Sequence, residues 1–264
     1  MSRVVAITGA SAGIGRATAL HLARSGSAVV ICARRPDKLE EAARSITDVG
    51  GRVLAVPGDV TRAHDMERLV AAAVTQFGRL DAMICNAGFG IYGEIDRITP
   101  AQMQQLMDVN FNGTFLAARA ALPHFRAQGS GHIIVVSSIV GRRGIPFMGP
   151  YAATKFAQVG LAECLRAELH GSNIHVSVVY PISTETEFHG VMMDHSGFAT
   201  RASGPRQSPE VVAGAIARAI DRPVPEVYPY RLSKGLAVLA AIAPGFCDRL
   251  TNRWRREPVR EVRR

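Results

Sequence analysis

The sequence predicts an α/β protein, a doubly wound parallel sheet in a single domain with a helical tail at its C-terminus. Three observations carry this expectation. Short apolar runs alternate with longer stretches of helical periodicity along most of the chain. The runs are continuous in Val, Ile, Ala and Leu, the pattern of parallel strands covered on both faces. No internal repeat, low-complexity segment or dividing linker interrupts them, and strand–helix alternation with right-handed crossovers winds such a chain into one sheet.

The elements follow in order. Val4–Ile7 reads as a strand, and Gly13–Arg24 as a helix with Ile14, Ala17, Leu20 and Leu22 along its apolar side. Ala28–Cys32 is a second strand. Pro36 opens a helix to about Thr47, because proline suits a first helical turn. Arg52–Val56 is a third strand, and Ala63–Phe77 a helix with Met66, Leu69, Val70, Ala73 and Val74 at helical spacing. Leu80–Cys85 is a fourth strand. Pro100–Gln128 holds one or two helices, and His132–Ser137 is a fifth strand. Tyr151–His170 is a long helix, Ile174–Val179 a sixth strand, Pro209–Ile220 a helix and Glu226–Tyr228 a short last strand.

Two regions depart from the alternation. Ser183–Ser208 is loop-rich yet carries Phe188, Val191, Met192, Met193 and Phe198, which favours a substrate lid over a solvated linker. The expected domain therefore spans residues 1–230 with a lid at about 183–208, followed by an extension over 231–264. In that extension Leu232, Leu236, Leu239 and Ala243 recur at helical spacing, widened by Ala237, Ala240 and Ala241. Pro244-Gly245 breaks the run. The stripe is too short to span a bilayer. It has three possible destinations: its own domain, an oligomer interface, or a membrane surface.

Composition bounds the function. Net charge is +9 in a chain of 264 residues, but Arg249–Arg264 alone holds seven arginines against two glutamates. So local an excess is not the footprint of a nucleic-acid-binding domain, and no nucleic-acid partner is expected. The four cysteines (Cys32, Cys85, Cys164, Cys247) are far apart and form no Cys-x-x-Cys. A reducing, cytoplasmic setting is the simpler expectation, with no catalytic metal. The start of the sequence has no signal-peptide pattern.

Chemistry concentrates at strand ends. Thr8-Gly9-Ala10-Ser11-Ala12-Gly13-Ile14-Gly15 joins the first strand to the first helix. A diphosphate needs close backbone approach, bare N–H donors and a helix N-terminus, which this loop offers in the Rossmann-like manner. The second strand ends Ile31-Cys32-Ala33-Arg34-Arg35, with no carboxylate before Asp37. An adenosine ribose read by NAD-type sites wants an acid there. A 2′-phosphate wants a guanidinium, so Arg34 and Arg35 predict NADP(H) over NAD(H). Arg16 is a second candidate for the same phosphate.

Tyr151 and Lys155 stand at i and i+4, on one face of the long helix. With five tyrosines in 264 residues and three lysines, a chance Tyr-x-x-x-Lys is expected about 0.06 times. A nearby cation favours phenolate, so the pairing predicts a tyrosine able to exchange a proton near neutral pH. Ser138, at the end of the fifth strand, could hold a substrate oxygen beside it. Ser137 competes for that role, and strand alternation turns one of the two away.

Together these residues resemble the short-chain dehydrogenase/reductase family over roughly residues 3–230. Thr8–Gly15 matches its Thr-Gly-x-x-x-Gly-x-Gly, Asp59-Val60 its adenine-contacting pair, and Asn86-Ala87-Gly88 its Asn-Ala-Gly after the fourth strand. Asn110 falls at the family's asparagine that supports a proton-relay water. Ser138, Tyr151 and Lys155 complete its catalytic tetrad. Pro181-Ile182 departs from the family's Pro-Gly, while Thr186 matches the downstream threonine that helps hold the nicotinamide.

The resemblance implies hydride transfer between nicotinamide C4 and a carbonyl carbon. Tyr151 would move the proton, Ser138 steady the oxygen, and Lys155 lower the tyrosine pKa and hold the ribose. It also implies a homo-oligomer, dimer or tetramer. Phe89, Ile91 and Tyr92, Ile145–Met148 and Phe188–Met193 would form mostly apolar substrate walls, fitting a lipophilic ketone or secondary alcohol. Arg142 and Arg143 flank this region and could attract an anionic substrate or carrier. A 3-oxoacyl-carrier reductase is therefore one alternative, and a catalytically silent nucleotide-binding scaffold another.

Overall fold

The computed structural model describes residues 2–186, 188, 190, 192 and 205–252. A seven-stranded sheet in the order β3-β2-β1-β4-β5-β6-β7 forms its centre, and every pairing is parallel. The strands are β1 Val4–Thr8, β2 Ala28–Ala33, β3 Arg52–Pro57, β4 Ala82–Cys85, β5 Gly131–Val136, β6 Ile174–Val179 and β7 Glu226–Val227. The helices are α1 Gly13–Arg24, α2 Pro36–Thr47, α3 Ala63–Phe77, α4 Pro100–Leu106, α5 Gly113–Gln128, α6 Gly149–Glu168, α7 Pro209–Asp221, α8 Leu232–Ile242 and α9 Pro244–Asn252. This is the doubly wound Rossmann-like sheet that the alternation predicts.

Strand alternation explains the continuous apolar runs. Val4 and Ala6 of β1 join Met83, Ile133 and Val176 in one core with Met66, Leu69 and Val70 of α3. Val5 and Ile7 face the other way, into a second core with Ile31, Ile84 and Ile134 beneath α1, α2 and α7. Each face therefore needs its own apolar set. Burying one such large side chain contributes on the order of 1.5–3 kcal/mol.

Several boundaries differ from the sequence reading by one or two residues, and three of the differences are instructive. β4 begins at Ala82, because Asp81 is committed elsewhere: its carboxylate accepts from the Val4 N–H at 2.7 Å and binds Arg79. α6 begins two residues before Tyr151, at Gly149, with Pro150 in its first turn. The 100–128 stretch divides into α4, a π-helical segment at Met107–Asn112, and α5. Wide turns of that kind are frequent at functional sites, and this one carries Asn110.

The tail forms two helices. α8 packs inward through Ser233, Ala237 and Ala240, and α9 through Cys247. Of the apolar stripe, Leu232 and Leu239 are exposed while Leu236 and Ala243 are half-buried, and Val238, Ile242 and Phe246 are exposed beside them, Leu232 and Ile242 at 73% and 78%. Residues 187, 189, 191 and 193–204 of the expected lid, and 253–264 with Trp254, lie outside the described residues.

Candidate active site

The strand order reverses between β1 and β4, the point at which open parallel sheets place a crevice at the carboxyl ends of their strands. Thr8 ends β1 there. Its hydroxyl accepts from the N–H groups of Asn86 and Ala87 at 3.0 and 3.1 Å and donates to the Ile84 carbonyl at 3.3 Å. Asn86 returns the contact, its Nδ2 donating to the Thr8 and Gly9 carbonyls at 2.9 and 3.1 Å. The glycine-rich loop and the Asn86-Ala87-Gly88 loop are thus fastened to each other.

The glycines make that fastening possible. Gly9 and Gly13 adopt φ of 66° and 54°, a region that disfavours side chains. A Cβ on Gly15 would stand 2.4 Å from the Gly9 carbonyl and 2.6 Å from Asn86 Nδ2. α1 starts behind Ala12 with no side-chain cap and no acidic residue in its first turn. Its N–H groups and dipole therefore remain available to an anion, and Ser11 and Ile14 lie half-buried beside them. These residues fit a nucleotide diphosphate.

Beside this loop the Ala10 N–H donates to the Cys32 carbonyl at 3.1 Å, and the Gly58 N–H to the Ala33 carbonyl at 3.1 Å. These bonds line up the ends of β1, β2 and β3. Arg34 and Arg35 are exposed where β2 ends. Arg16 instead turns to α2, donating to Ser45 Oγ at 2.9 Å and Glu41 Oε1 at 3.4 Å. Asp59 accepts from the Thr61 N–H and hydroxyl, while Val60 is buried beneath Gly113. Thr186 closes the far side, its methyl 3.1 Å from where a Gly13 Cβ would lie. Ile182 occupies no left-handed conformation, so the backbone there does not need the family's glycine.

At the chemical end, strand alternation separates the two serines. Ser137 is buried and donates to the Lys155 carbonyl at 3.1 Å. Ser138 hydrogen-bonds the Tyr151 phenol and also reaches the Pro181 carbonyl at 3.4 Å. Lys155 is buried, with Nζ donating to the Val136 carbonyl at 3.0 Å and to Gln158 Oε1 at 3.1 Å, and lying 5.6 Å from the Tyr151 ring centre. Gly88 has no Cβ to crowd the space between Asn110 and Lys155. Asn110 is fully buried. Its side chain accepts from the Phe89 N–H at 3.0 Å and donates to the Phe89 carbonyl at 2.9 Å and Thr154 Oγ1 at 3.0 Å.

The protonation energetics differ from the simple expectation of a cation lowering the phenol pKa. Burial pushes the Tyr151 phenol up, and the Ser138 hydrogen bond pulls it part of the way back. Burial also pushes the Lys155 ammonium down, to about 7. Desolvation opposes the charged form of both groups.

The expected walls divide in two. Phe89 and Ile91 belong to the core and do not line the crevice. Ile139, Met148 and Phe188 pack around Tyr151, with the Phe188 ring 5.5 Å from the tyrosine ring. Phe147, at a left-handed φ of 66°, sets its ring 5.5 Å from Tyr92. Such a conformation costs a phenylalanine about 1–3 kcal/mol and clusters at functional loops. Arg142 and Arg143 are paired internally: Arg142 binds Glu226 and Glu163 and covers the Tyr180 ring, and Arg143 binds Asp248.

Sequence reasoning missed Gln158. It is fully buried one turn after Lys155, and only that i+3 spacing could have drawn attention to it.

The family model for short chain dehydrogenases matches residues 3–196. An uncharacterized oxidoreductase of Listeria monocytogenes is 37% identical over 227 residues, 84% of this chain and 92% of the relative. An alcohol dehydrogenase of Thermococcus sibiricus, solved with 5-hydroxy-NADP, superposes with a TM-score of 0.76 at 28% identity, covering 86% of this chain and 96% of that one. A 3-ketoacyl-(acyl-carrier-protein) reductase of Brucella melitensis, solved with NADH, gives 0.77 at 28% identity, covering 87% and 98%.

Proposed function

The chain belongs to the short chain dehydrogenase family and is an oxidoreductase acting on an alcohol or its carbonyl, and we propose that it uses NADP(H) on a lipophilic substrate. The observation that carries the reading is the convergence of Ser138, Tyr151 and Lys155 beside the glycine-rich crevice. A bound nicotinamide supplies the hydride. Ser138 Oγ holds the substrate oxygen, and the Tyr151 hydroxyl gives that oxygen its proton in reduction or takes it in oxidation. Lys155 spends two of its N–H donors on Val136 and Gln158 and keeps the third for the nucleotide ribose. Thr8, Gly9, Ser11, Gly13, Ile14 and Gly15 receive the diphosphate. Asn86, Ala87, Gly88, Pro181 and Thr186 border the nicotinamide, and Asp59 and Val60 the adenine.

The cluster of Ile139, Met148 and Phe188 around Tyr151 supports an apolar substrate. Similarity to the Brucella reductase favours a second reading, reduction of a 3-oxoacyl carrier substrate. The internal pairing of Arg142 and Arg143 argues against an acidic carrier docking on that loop. Assays of steroid, aliphatic, sugar and acyl-thioester carbonyls separate the two readings. On whichever substrate responds, Tyr151→Phe should lower turnover about 10²–10⁴-fold while nucleotide binding persists. Near-wild-type turnover would reject the proton-transfer assignment, and a wild-type protein that binds nucleotide but turns over none of these carbonyls would favour the silent scaffold.

NADP(H) preference rests on Arg34 and Arg35 standing where a carboxylate would read NAD. The solved relatives contain either nucleotide type. Fluorescence titration should give tighter binding of NADPH than NADH, and Arg34→Ala should narrow the gap about tenfold through loss of one charge-assisted contact. Equal affinities, or an NADH preference, would remove the argument.

Association belongs to the residues after about 230. No helix among the described residues is long and apolar enough to cross a membrane. The outward Leu232, Leu239, Ile242 and Phe246, followed by the arginine-rich end, support a surface that binds a second copy or an anionic bilayer in a cytoplasmic setting. Replacing Leu239 and Ile242 by Ser should reduce oligomer mass or liposome binding while NADPH binding is kept. Unchanged mass, with neither protein binding liposomes, would contradict this.

A further inference from the structure

Gln158 joins Lys155 to Asn110. Its Oε1 accepts from Lys155 Nζ at 3.1 Å, and its Nε2 donates to the Asn110 carbonyl at 2.7 Å and to Thr114 Oγ1 at 2.8 Å. Thr114 Oγ1 donates to the same carbonyl at 2.8 Å. The amide orientation follows from its neighbours, because an ammonium can only donate and a carbonyl can only accept. Turning the amide over would set N–H against ammonium and oxygen against oxygen.

We propose that Gln158 is a positioning residue, which holds the Lys155 ammonium beside Tyr151 and makes the link from Lys155 to the Asn110 carbonyl an amide side chain. Two consequences follow from the chemistry of an amide. Its oxygen stabilises the charged lysine by accepting from it, against the burial that pushes that ammonium down. Its N–H does not pass a proton to a carbonyl, so the bridge orients Lys155 and conducts nothing. Both lone pairs of the Asn110 carbonyl are engaged, by Gln158 and Thr114. The Asn110 carbonyl is therefore already satisfied by protein donors.

The surroundings of Lys155 leave Gln158 a large share of this work. From α6 it meets Tyr151, from β5 the Val136 carbonyl, from the loop after β4 Gly88, and from the π-helical segment Asn110. Tyr151 is the titratable side chain among them, and burial is the cause of the ammonium's shift.

The chain contains three lysines, Lys38, Lys155 and Lys234, so an NMR titration of the full-length protein with isotope-labelled lysine resolves the buried one. Lys38→Arg and Lys234→Arg variants assign the signals. In Gln158→Leu the Lys155 midpoint should fall by about one pH unit, because the ammonium loses an acceptor. In Gln158→Glu it should rise by about as much, because a carboxylate replaces that acceptor. A merely structural glutamine would not move the midpoint in opposite directions. A midpoint in folded Gln158→Leu equal to that of the wild type would overturn the proposal. If Gln158→Leu does not fold, a midpoint in Gln158→Glu at or below the wild-type value overturns it. The inference rests on Tyr151 and Lys155 being the proton-transfer pair. The titration needs no turnover, so its failure is distinct from the failure of that reading.

Discussion

A single hydroxyl fixes the crevice on which everything else depends. Thr8 Oγ1 has one proton to donate and two lone pairs to accept with, and all three are used between β1 and the loop after β4. Those two strands are neighbours, but the chain leaves them toward opposite edges of the sheet. Their loops would part without a cross-tie. Thr8 and Asn86 supply it, and the missing Cβ atoms at Gly9 and Gly15 let the two loops close to contact. The nucleotide loop, the Asn-Ala-Gly loop and Thr186 then take their positions from one another.

The chemical half depends on a different kind of constraint, a cation kept inside the core. An unpaired ammonium is costly in a low-dielectric interior. Here β5 offers the Val136 carbonyl and α6 itself offers Gln158, so strand and helix meet the same charge. Asn110 extends the network to the Phe89 backbone and Thr154. The π-helical turn places the Asn110 side chain inward while its carbonyl still serves Gln158 and Thr114. Most polar groups in this region are thus satisfied internally, and the bonds tie the strand ends to the Tyr151 helix.

Most of this was legible in the sequence because its signals are local. Val4–Ile7, Ala28–Cys32 and Ile174–Val179 are continuous apolar runs, and buried parallel strands demand them. Glycine spacing marked the loop that closes on Asn86, and the i, i+4 pairing marked the helix face shared by Tyr151 and Lys155. What escaped needed three dimensions. Gln158 reads in sequence like any polar helix residue, and its value comes from partners on other elements. Phe89 and Ile91 followed a motif and were read as walls, but apolar residues do not announce which side of a loop they cover. In α8 the apolar stripe left its destination open, and only the fold shows that Ser233, Ala237 and Ala240 are its buried residues. For Arg142 and Arg143 a structural role is the simpler reading of the sequence, but their partners Glu163, Glu226 and Asp248 are visible only in the fold.

The dependence of the crevice on Thr8 is tested by comparing Thr8→Val with Thr8→Ser, reading unfolding stability and NADPH affinity on the same samples. Valine keeps the shape and leaves two amides without an acceptor, which should cost about 2–3 kcal/mol and weaken NADPH binding about tenfold or more. Serine keeps the hydroxyl and should retain the greater part of both. Thr8→Val with wild-type stability and wild-type NADPH affinity would contradict the account.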